Sequence, residues 1–209
     1  MRLISVNTGK PRLYHYKGRN VFTSIFKSPV KGLCRVNELN VEGDEQSDLT
    51  VHGGALKAVY SYDVSYYDIW KKILKRDDWG YGLFGENLTT EGLSDDTIRV
   101  GNIYEIGSVY LQAIQPRFPC FKISIRFGTE YVLKNFVKTG KHGTYFRVLQ
   151  SGSLQEGDSI SLVETSKHNV TIQQLAEAFY NKGADKAMVE NILNIAYLPE
   201  YLRRNFENF

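Results

Sequence analysis

The chain has two cysteines in 209 residues, and one of them, Cys120, stands in the stretch QPRFPCFK (115–122). A thiol attacks or ligates as its thiolate, and neighbouring cations favour that form. Arg117 and Lys122 flank Cys120 closely enough to supply such a setting. Pro116 and Pro119 fix their φ angles and remove two N–H donors, so the segment reads as a stiff extended loop rather than a central strand or helix. Rigid loops carry sites more often than they pack cores, which assigns Cys120 a functional role. Cys34, in the apolar setting GLCRV, reads as a small buried hydrophobe.

A second group of polar residues lies in DLTVHGGALKAVYSY, where His52 precedes Gly53 and Gly54 and Lys57 follows. Paired glycines permit a close backbone approach to a ligand with amides turned toward an anion. Histidine as a residue type can exchange a proton near neutrality, and Asp48 is close enough in sequence to orient His52. Lys27, ahead of a proline-stiffened turn in SIFKSPVKG, and the glycine-rich GLFGENLTTEGL complete the candidates. Cys34, His52, Cys120 and His142 show none of the paired spacings of a structural zinc site. No GxGxxG, P-loop or serine nucleophile elbow is present. A lone soft thiolate among cations fits a cofactor that brings its own metal and its own negative charge.

These residues need a frame. Up to about residue 60 the pattern is short and strand-like, in RLISVN, NVFTSIF, GLCRVNELNVEGDEQ and AVYSY. DVSYYDIWKKIL then takes helical spacing, with Tyr66, Ile69, Trp70 and Ile73 on one stripe and Asp63 as N-cap. Strand signals return in TIRVGNIYEIGSVYLQAIQ; TEYVLKNFVKTG suits a helix stopped by Gly140, and GTYFRVLQSGSLQEGDSISLVE gives two further strands. Many short strands with few helices point to a mainly β, barrel-like domain over 1–165. From 168 to 209 the texture is helical. Thr171 and Gln174 have capping-box spacing, Leu175, Ala178 and Phe179 form an apolar stripe ended by Gly183, DKAMVENILNIAYL follows, and Pro199 opens a third helix. An appendage this small needs docking, on the β domain or on a second copy of the chain as a homodimer.

At 23.9 kDa the chain can bury one sizeable core and a satellite. No apolar run approaches a membrane span, the first residues lack a signal-peptide core, and the cysteine count rules out a disulfide framework, so the expected location is the reducing cytoplasm. Net charge is only +3, but residues 1–37 contain eight Lys or Arg and no acid, which favours an anionic partner. Nucleic acid is a poor candidate for the C-terminal end of the chain, where residues 167–209 set five bases (Lys167, Lys182, Lys186, Arg203, Arg204) against five acids (Glu177, Asp185, Glu190, Glu200, Glu207).

Several stretches together, GDEQSDLTVHGG (43–54), AVYSYDVSYYDIW (58–70), FGENLTTEGL (84–93), RVGNIYEIG (99–107) and QPRFPCFK (115–122), resemble the MOSC domain family. The likeness is to its YiiM-like, hydroxylaminopurine-resistance branch, which carries a C-terminal three-helix "3-alpha" domain like residues 168–209. The resemblance implies a β-barrel-like fold that binds molybdenum cofactor, a phosphate-bearing pterin dithiolene in the molybdopterin form. Cys120, at the family's PRxPC motif, is then the molybdenum ligand. Arg117, Lys27, Lys57 and Arg147 are candidates for the cofactor's phosphate and pterin oxygens, with Asn87 and the amides of Gly53 and Gly54 bonding the pterin. His52 is the proton donor and Asp48 its orienting group. The implied reaction reduces N-hydroxylated compounds, hydroxylaminopurines and amidoxime-like substrates, to amines. With no internal electron relay in the sequence, an external reductase is expected as donor. The alternative is a non-catalytic carrier of the cofactor or of a persulfide, which would bind but not turn over.

Overall fold

A computed structural model describes residues 1–47, 53–181 and 184–208. Twelve strands run in chain order: β1 (Arg2–Thr8), β2 (Arg12–Tyr16), β3 (Arg19–Thr23), β4 (Ser28–Val30), β5 (Cys34–Val36), β6 (Val59–Asp63), β7 (Leu88–Glu91), β8 (Ile103–Ile106), β9 (Val109–Pro116), β10 (Thr144–Gln150), β11 (Gly152–Leu154) and β12 (Ile160–Glu164). The helices are α1 (Ser65–Ile73), α2 (Lys122–Phe127), α3 (Tyr131–Thr139), α4 (Ile172–Tyr180), α5 (Lys186–Leu193) and α6 (Glu200–Glu207). No helix of the described residues is long and apolar enough to cross a membrane.

Eight strands form one mixed sheet in the order β12-β8-β9-β10-β6-β7-β1-β4, and β5 with β11 and β2 with β3 form separate ribbons. All pairs are antiparallel except β6 with β7. The expected barrel is not a closed ladder. Among the described residues, β12 and β1 touch through an isolated bridge between Arg2 and Ser159, with Leu3 N donating to the Asp158 carbonyl, Ile160 N to that of Met1, and Gly157 N to that of Leu3. Strand 109–116 is hydrophobic over most of its length because it lies between β8 and β10 with both faces covered.

Two hydrophobic clusters hold the chain together. One runs from Leu3, Val6 and Leu111 in the sheet into Leu175, Ile192, Leu202 and Phe206 of the C-terminal helices, so the helical segment and the sheet share one core. The other is aromatic, built from Tyr62, Tyr67, Trp70, Phe84 and Phe136 between β6, α1 and α3. It satisfies its own polar atoms: Trp70 Nε1 donates to Tyr62 Oη at 2.7 Å. Tyr67 donates to Glu86, a fully buried acid that also accepts from the amides of Gly82 and Phe84.

Local signals hold with instructive differences. Thr171 and Gln174 make the capping box of α4, and Gly140 ends α3 in the left-handed region. Gly183 lies outside the described residues; α4 itself stops at Tyr180. Asp63 closes β6 rather than standing as the formal cap of α1, yet its Oδ1 accepts from the Ser65 amide at 3.0 Å and so serves the same orphan donor. The region 144–164 holds three strands, not two. Pro116 lies on the last paired position of a central strand, opposite Thr144, and Lys122 opens a helix; the extended loop is therefore only Arg117–Phe121.

Candidate functional site

A cleft opens beside that loop, lined among others by Lys27, Asp44, Lys57, Tyr60, Asn87, Arg117 and Tyr145. Its volume is about 90 Å³ and it is half open to solvent, so it has room for one end of a ligand whose bulk extends outward.

Arg117 is its main positive group. Strand β9 stops at Pro116, and the Arg117 amide donates to the Gly143 carbonyl at 3.0 Å, which fixes the start of the loop. The guanidinium sits 5.7 Å from the Tyr60 ring centre and 5.2 Å from that of Phe136, and only 6% of the residue is exposed. Burial alone would favour its neutral form, but Tyr60, Cys120 and Tyr145 outweigh that and raise its pKa. It stays a cation, and its Nη1 has no hydrogen-bond partner. A buried donor of this kind costs free energy until something accepts from it. Cys120 is half-buried three residues on, within electrostatic reach of both Arg117 and Tyr145.

The turn under Arg117 is held by a buried acid. Asp95 accepts from the amides of His142 and Gly143, both at 2.9 Å, and burial raises its pKa to about 6. The His142 ring packs between Phe118, Phe136 and Tyr180. Burial first, then Arg117 and Lys141, push its pKa down to about 4, so it is neutral at pH 7. Gly143 has φ +70°, and a Cβ there would lie 2.4 Å from the Ser61 carbonyl oxygen; only glycine fits.

Other expected residues reach the cleft already committed. Lys27 is buried and ion-paired with Asp44. Asp44 also accepts from the Gly9 amide at 2.8 Å and from Asn87 Nδ2 at 2.9 Å, and Asn87 Oδ1 takes the Tyr60 amide at 3.1 Å. Lys27 and Asn87 thus brace Asp44 and β6 instead of presenting free groups. The Gly54 amide likewise donates to Gln46 Oε1 at 2.9 Å, while Gly53 is half-buried beside it. Lys57 lines the cleft with its ammonium 5.2 Å from the Tyr201 ring, and Tyr201 donates to Gln115 Oε1. Arg147 is not brought in; it lies on β10 with its guanidinium 5.4 Å from the Tyr197 ring. Asp48 and His52 lie outside the described residues. Cys34 is buried in β5, as its apolar setting implied.

Sequence reasoning missed Tyr60, Tyr145, Asp44 and Tyr201. The tyrosines belong to strand patterns that any aromatic-rich sheet would show. Asp44 sits in an acidic run that reads as solvated surface, and Tyr201 comes from a helix remote in sequence.

The chain belongs to the MOSC domain family, whose model matches residues 48–161. Within it the likeness is to the YiiM-like branch. The crystal structure of YiiM from Geobacillus stearothermophilus superposes with a TM-score of 0.83 at 30% identity, over 99% of this chain and 97% of that one. YflK of Bacillus subtilis (strain 168), an uncharacterized protein, is 34% identical over 204 residues, 98% of this chain and 92% of the relative. A protein of Gibberella moniliformis (strain M3125 / FGSC 7600) called "Reductase" is 36% identical over 150 residues; the match covers 70% of this chain but only 27% of that much longer protein.

Proposed function

We propose that this chain is a cytoplasmic molybdenum-cofactor-dependent reductase of N-hydroxylated compounds. Membership of the MOSC family and the reductase name of a longer relative support the class. The observation that carries the reading is the buried Arg117, a cation with one guanidinium nitrogen uncommitted, facing a cleft beside the half-buried Cys120. A buried cation with one donor nitrogen left unpaired suits an anionic ligand, and a planar guanidinium suits phosphate or pterin oxygens by forked hydrogen bonds.

Cys120 would hold the metal as thiolate, Arg117 and Lys57 the anionic end of molybdopterin, and Gly53 a polar edge of the pterin. When bound, molybdenum supplies two-electron redox chemistry suited to an N–O bond. The net reaction is R–NHOH plus two electrons and two protons giving R–NH2 and water. His52, oriented by Asp48, is our candidate to deliver a proton to the departing oxygen. Tyr60 and Tyr145, both pushed up by burial and partly held back by Arg117, stay neutral and form an aromatic wall. Electrons must arrive from outside, from a separate reductase.

The test compares molybdenum and pterin content of wild type and Cys120→Ala purified from a cofactor-competent host, with turnover of N-hydroxylated adenine by reduced methyl viologen. Loss of molybdenum and turnover in the variant is expected. Equal molybdenum in both removes the ligand assignment; binding with no turnover in wild type leaves a carrier.

A further inference from the structure

Arg117 is not alone in the cleft in having an uncommitted group. Among the described residues, Ser24 Oγ and Arg117 Nη1 are the buried side-chain atoms without a hydrogen bond whose residues line it. Ser24, like Arg117, is buried. The two come from different parts of the chain, Ser24 just after β3 and Arg117 just after β9. The Ser24 segment is tightly held. The Thr23 hydroxyl accepts from the Ile25 amide at 3.2 Å, and the Lys27 amide donates back to the Ile25 carbonyl at 3.1 Å. Gly9 packs against the same stretch; a Cβ there would lie 2.6 Å from the Phe26 carbonyl oxygen and 3.2 Å from that of Ser24. The Gly9 amide is in turn bound to Asp44 at 2.8 Å. The backbone of Ser24 is therefore fixed beside the cleft before any ligand arrives. Burying a hydroxyl without a partner costs free energy, and packing alone would be served better by alanine.

We infer that Ser24 is a second binding group of the cleft, and that Ser24 Oγ and Arg117 Nη1 together clasp one phosphate group. The inference deepens the reading above, on which the identification of that phosphate as the cofactor's rests. Three features select the ligand. Both orphaned atoms can donate: a guanidinium only donates, and a hydroxyl can turn its proton to whatever acceptor is offered. The cations lining the cleft, Lys27, Lys57 and Arg117, outnumber the carboxylates Asp44 and Glu45, and Asp44 is already held by Lys27, Asn87 and the Gly9 amide. The ligand therefore brings negative charge and acceptor oxygens. Donors from two separate elements suit a tetrahedral group, whose oxygens point apart; a planar carboxylate would be satisfied by one guanidinium fork. A hydroxyl bonded to a phosphate oxygen makes a charge-assisted hydrogen bond, roughly twice as strong as one between neutral groups.

The test titrates inorganic phosphate into the full chain prepared without cofactor, at constant ionic strength, for wild type, Ser24→Ala and Thr90→Val. Thr90 Oγ1 is also buried and unpartnered, but Thr90 does not line the cleft, so its variant reports what losing an orphaned hydroxyl does by itself. We expect Ser24→Ala to weaken phosphate binding at least about tenfold. In phosphate-free buffer the same variant should melt at the wild-type temperature or above it, because it sheds an unpaired group. Thr90→Val should bind phosphate as wild type does. In protein from a cofactor-competent host, retained pterin should fall in Ser24→Ala. Wild type that binds no phosphate overturns the inference, as does undiminished binding by Ser24→Ala or an equal loss in Thr90→Val. So does a ligand-free Ser24→Ala that melts well below wild type, which would make the hydroxyl structural. Unchanged pterin retention beside weakened phosphate binding overturns the assignment to the cofactor and leaves a site for free phosphate. Wild type that carries neither pterin nor molybdenum would sink the cofactor reading instead, and the phosphate titration would still decide the role of Ser24.

Discussion

Arg117 concentrates the physical chemistry of the site in one side chain. A buried guanidinium with an orphaned nitrogen is a destabilising feature unless a ligand completes it. Replacing it with methionine keeps the apolar stem between Tyr60 and Phe136 but removes the charge. Arg117→Met should therefore unfold at the same temperature as ligand-free wild type or a higher one, while molybdenum retained through purification drops at least about tenfold. A large loss of melting temperature in the ligand-free variant would mean that Arg117 is structural instead. Asp95 and His142, stacked under the same loop, oppose each other in pH. The folded pKa of His142 is depressed to about 4, so the unfolded chain takes up its proton first and the fold loses stability as pH drops from about 6.5. The folded pKa of Asp95 is raised to about 6, so over the window from 6 to about 4 the folded state binds the extra proton and gains stability. Each amounts to about 3 kcal/mol across its window, with opposite sign. Urea unfolding of Asp95→Asn should show stability lost between pH 6.5 and 4 relative to wild type. His142→Gln should show the reverse; parallel pH curves for all three proteins would refute both assignments.

At the scale of elements, two short pieces matter beyond their length. The turn at His142–Gly143 carries Arg117, and Gly143→Ala would place a methyl 2.4 Å from the Ser61 carbonyl in a left-handed backbone. That substitution should cost more than about 1 kcal/mol and lower cofactor retention together with stability. The capping box of α4 has local worth only: Thr171→Ala should cost about 1 kcal/mol in chemical denaturation and leave the site unchanged. Comparing the two separates damage at the site from damage to the scaffold.

For the whole molecule, the C-terminal helices are part of the main core and touch the cleft's Lys57 from behind. Leu202 is fully buried in the cluster that includes Leu3 and Leu111, and Tyr201 beside it reaches Gln115 and the Lys57 ammonium. Leu202→Ala should lose about 2–5 kcal/mol in a single cooperative transition. Two separate transitions would instead show a helical unit that folds alone. Tyr201→Phe keeps the ring under Lys57 but leaves the buried Gln115 Oε1 without its donor, and should cost about 1 kcal/mol or more in chemical denaturation.

Local chemistry was legible in the residues alone. Gly140 ends its helix, Thr171 and Gln174 cap theirs, and Cys120 stands in a braced loop, because caps, turns and proline constraints act between near neighbours and need no tertiary partner. What the tertiary structure decided was which charges remain uncommitted. Lys27, Asn87 and the Gly54 amide are as suitable in type as Arg117, yet Asp44, Tyr60 and Gln46 engage them, and Arg147 is carried away to Tyr197. The open end of the sheet ladder and the entry of Tyr201 beside the cleft were equally invisible. Hydrogen-bond satisfaction and burial are set by residues far apart in the chain, so only the assembled fold distinguishes a ligand-binding cation from one that braces a strand.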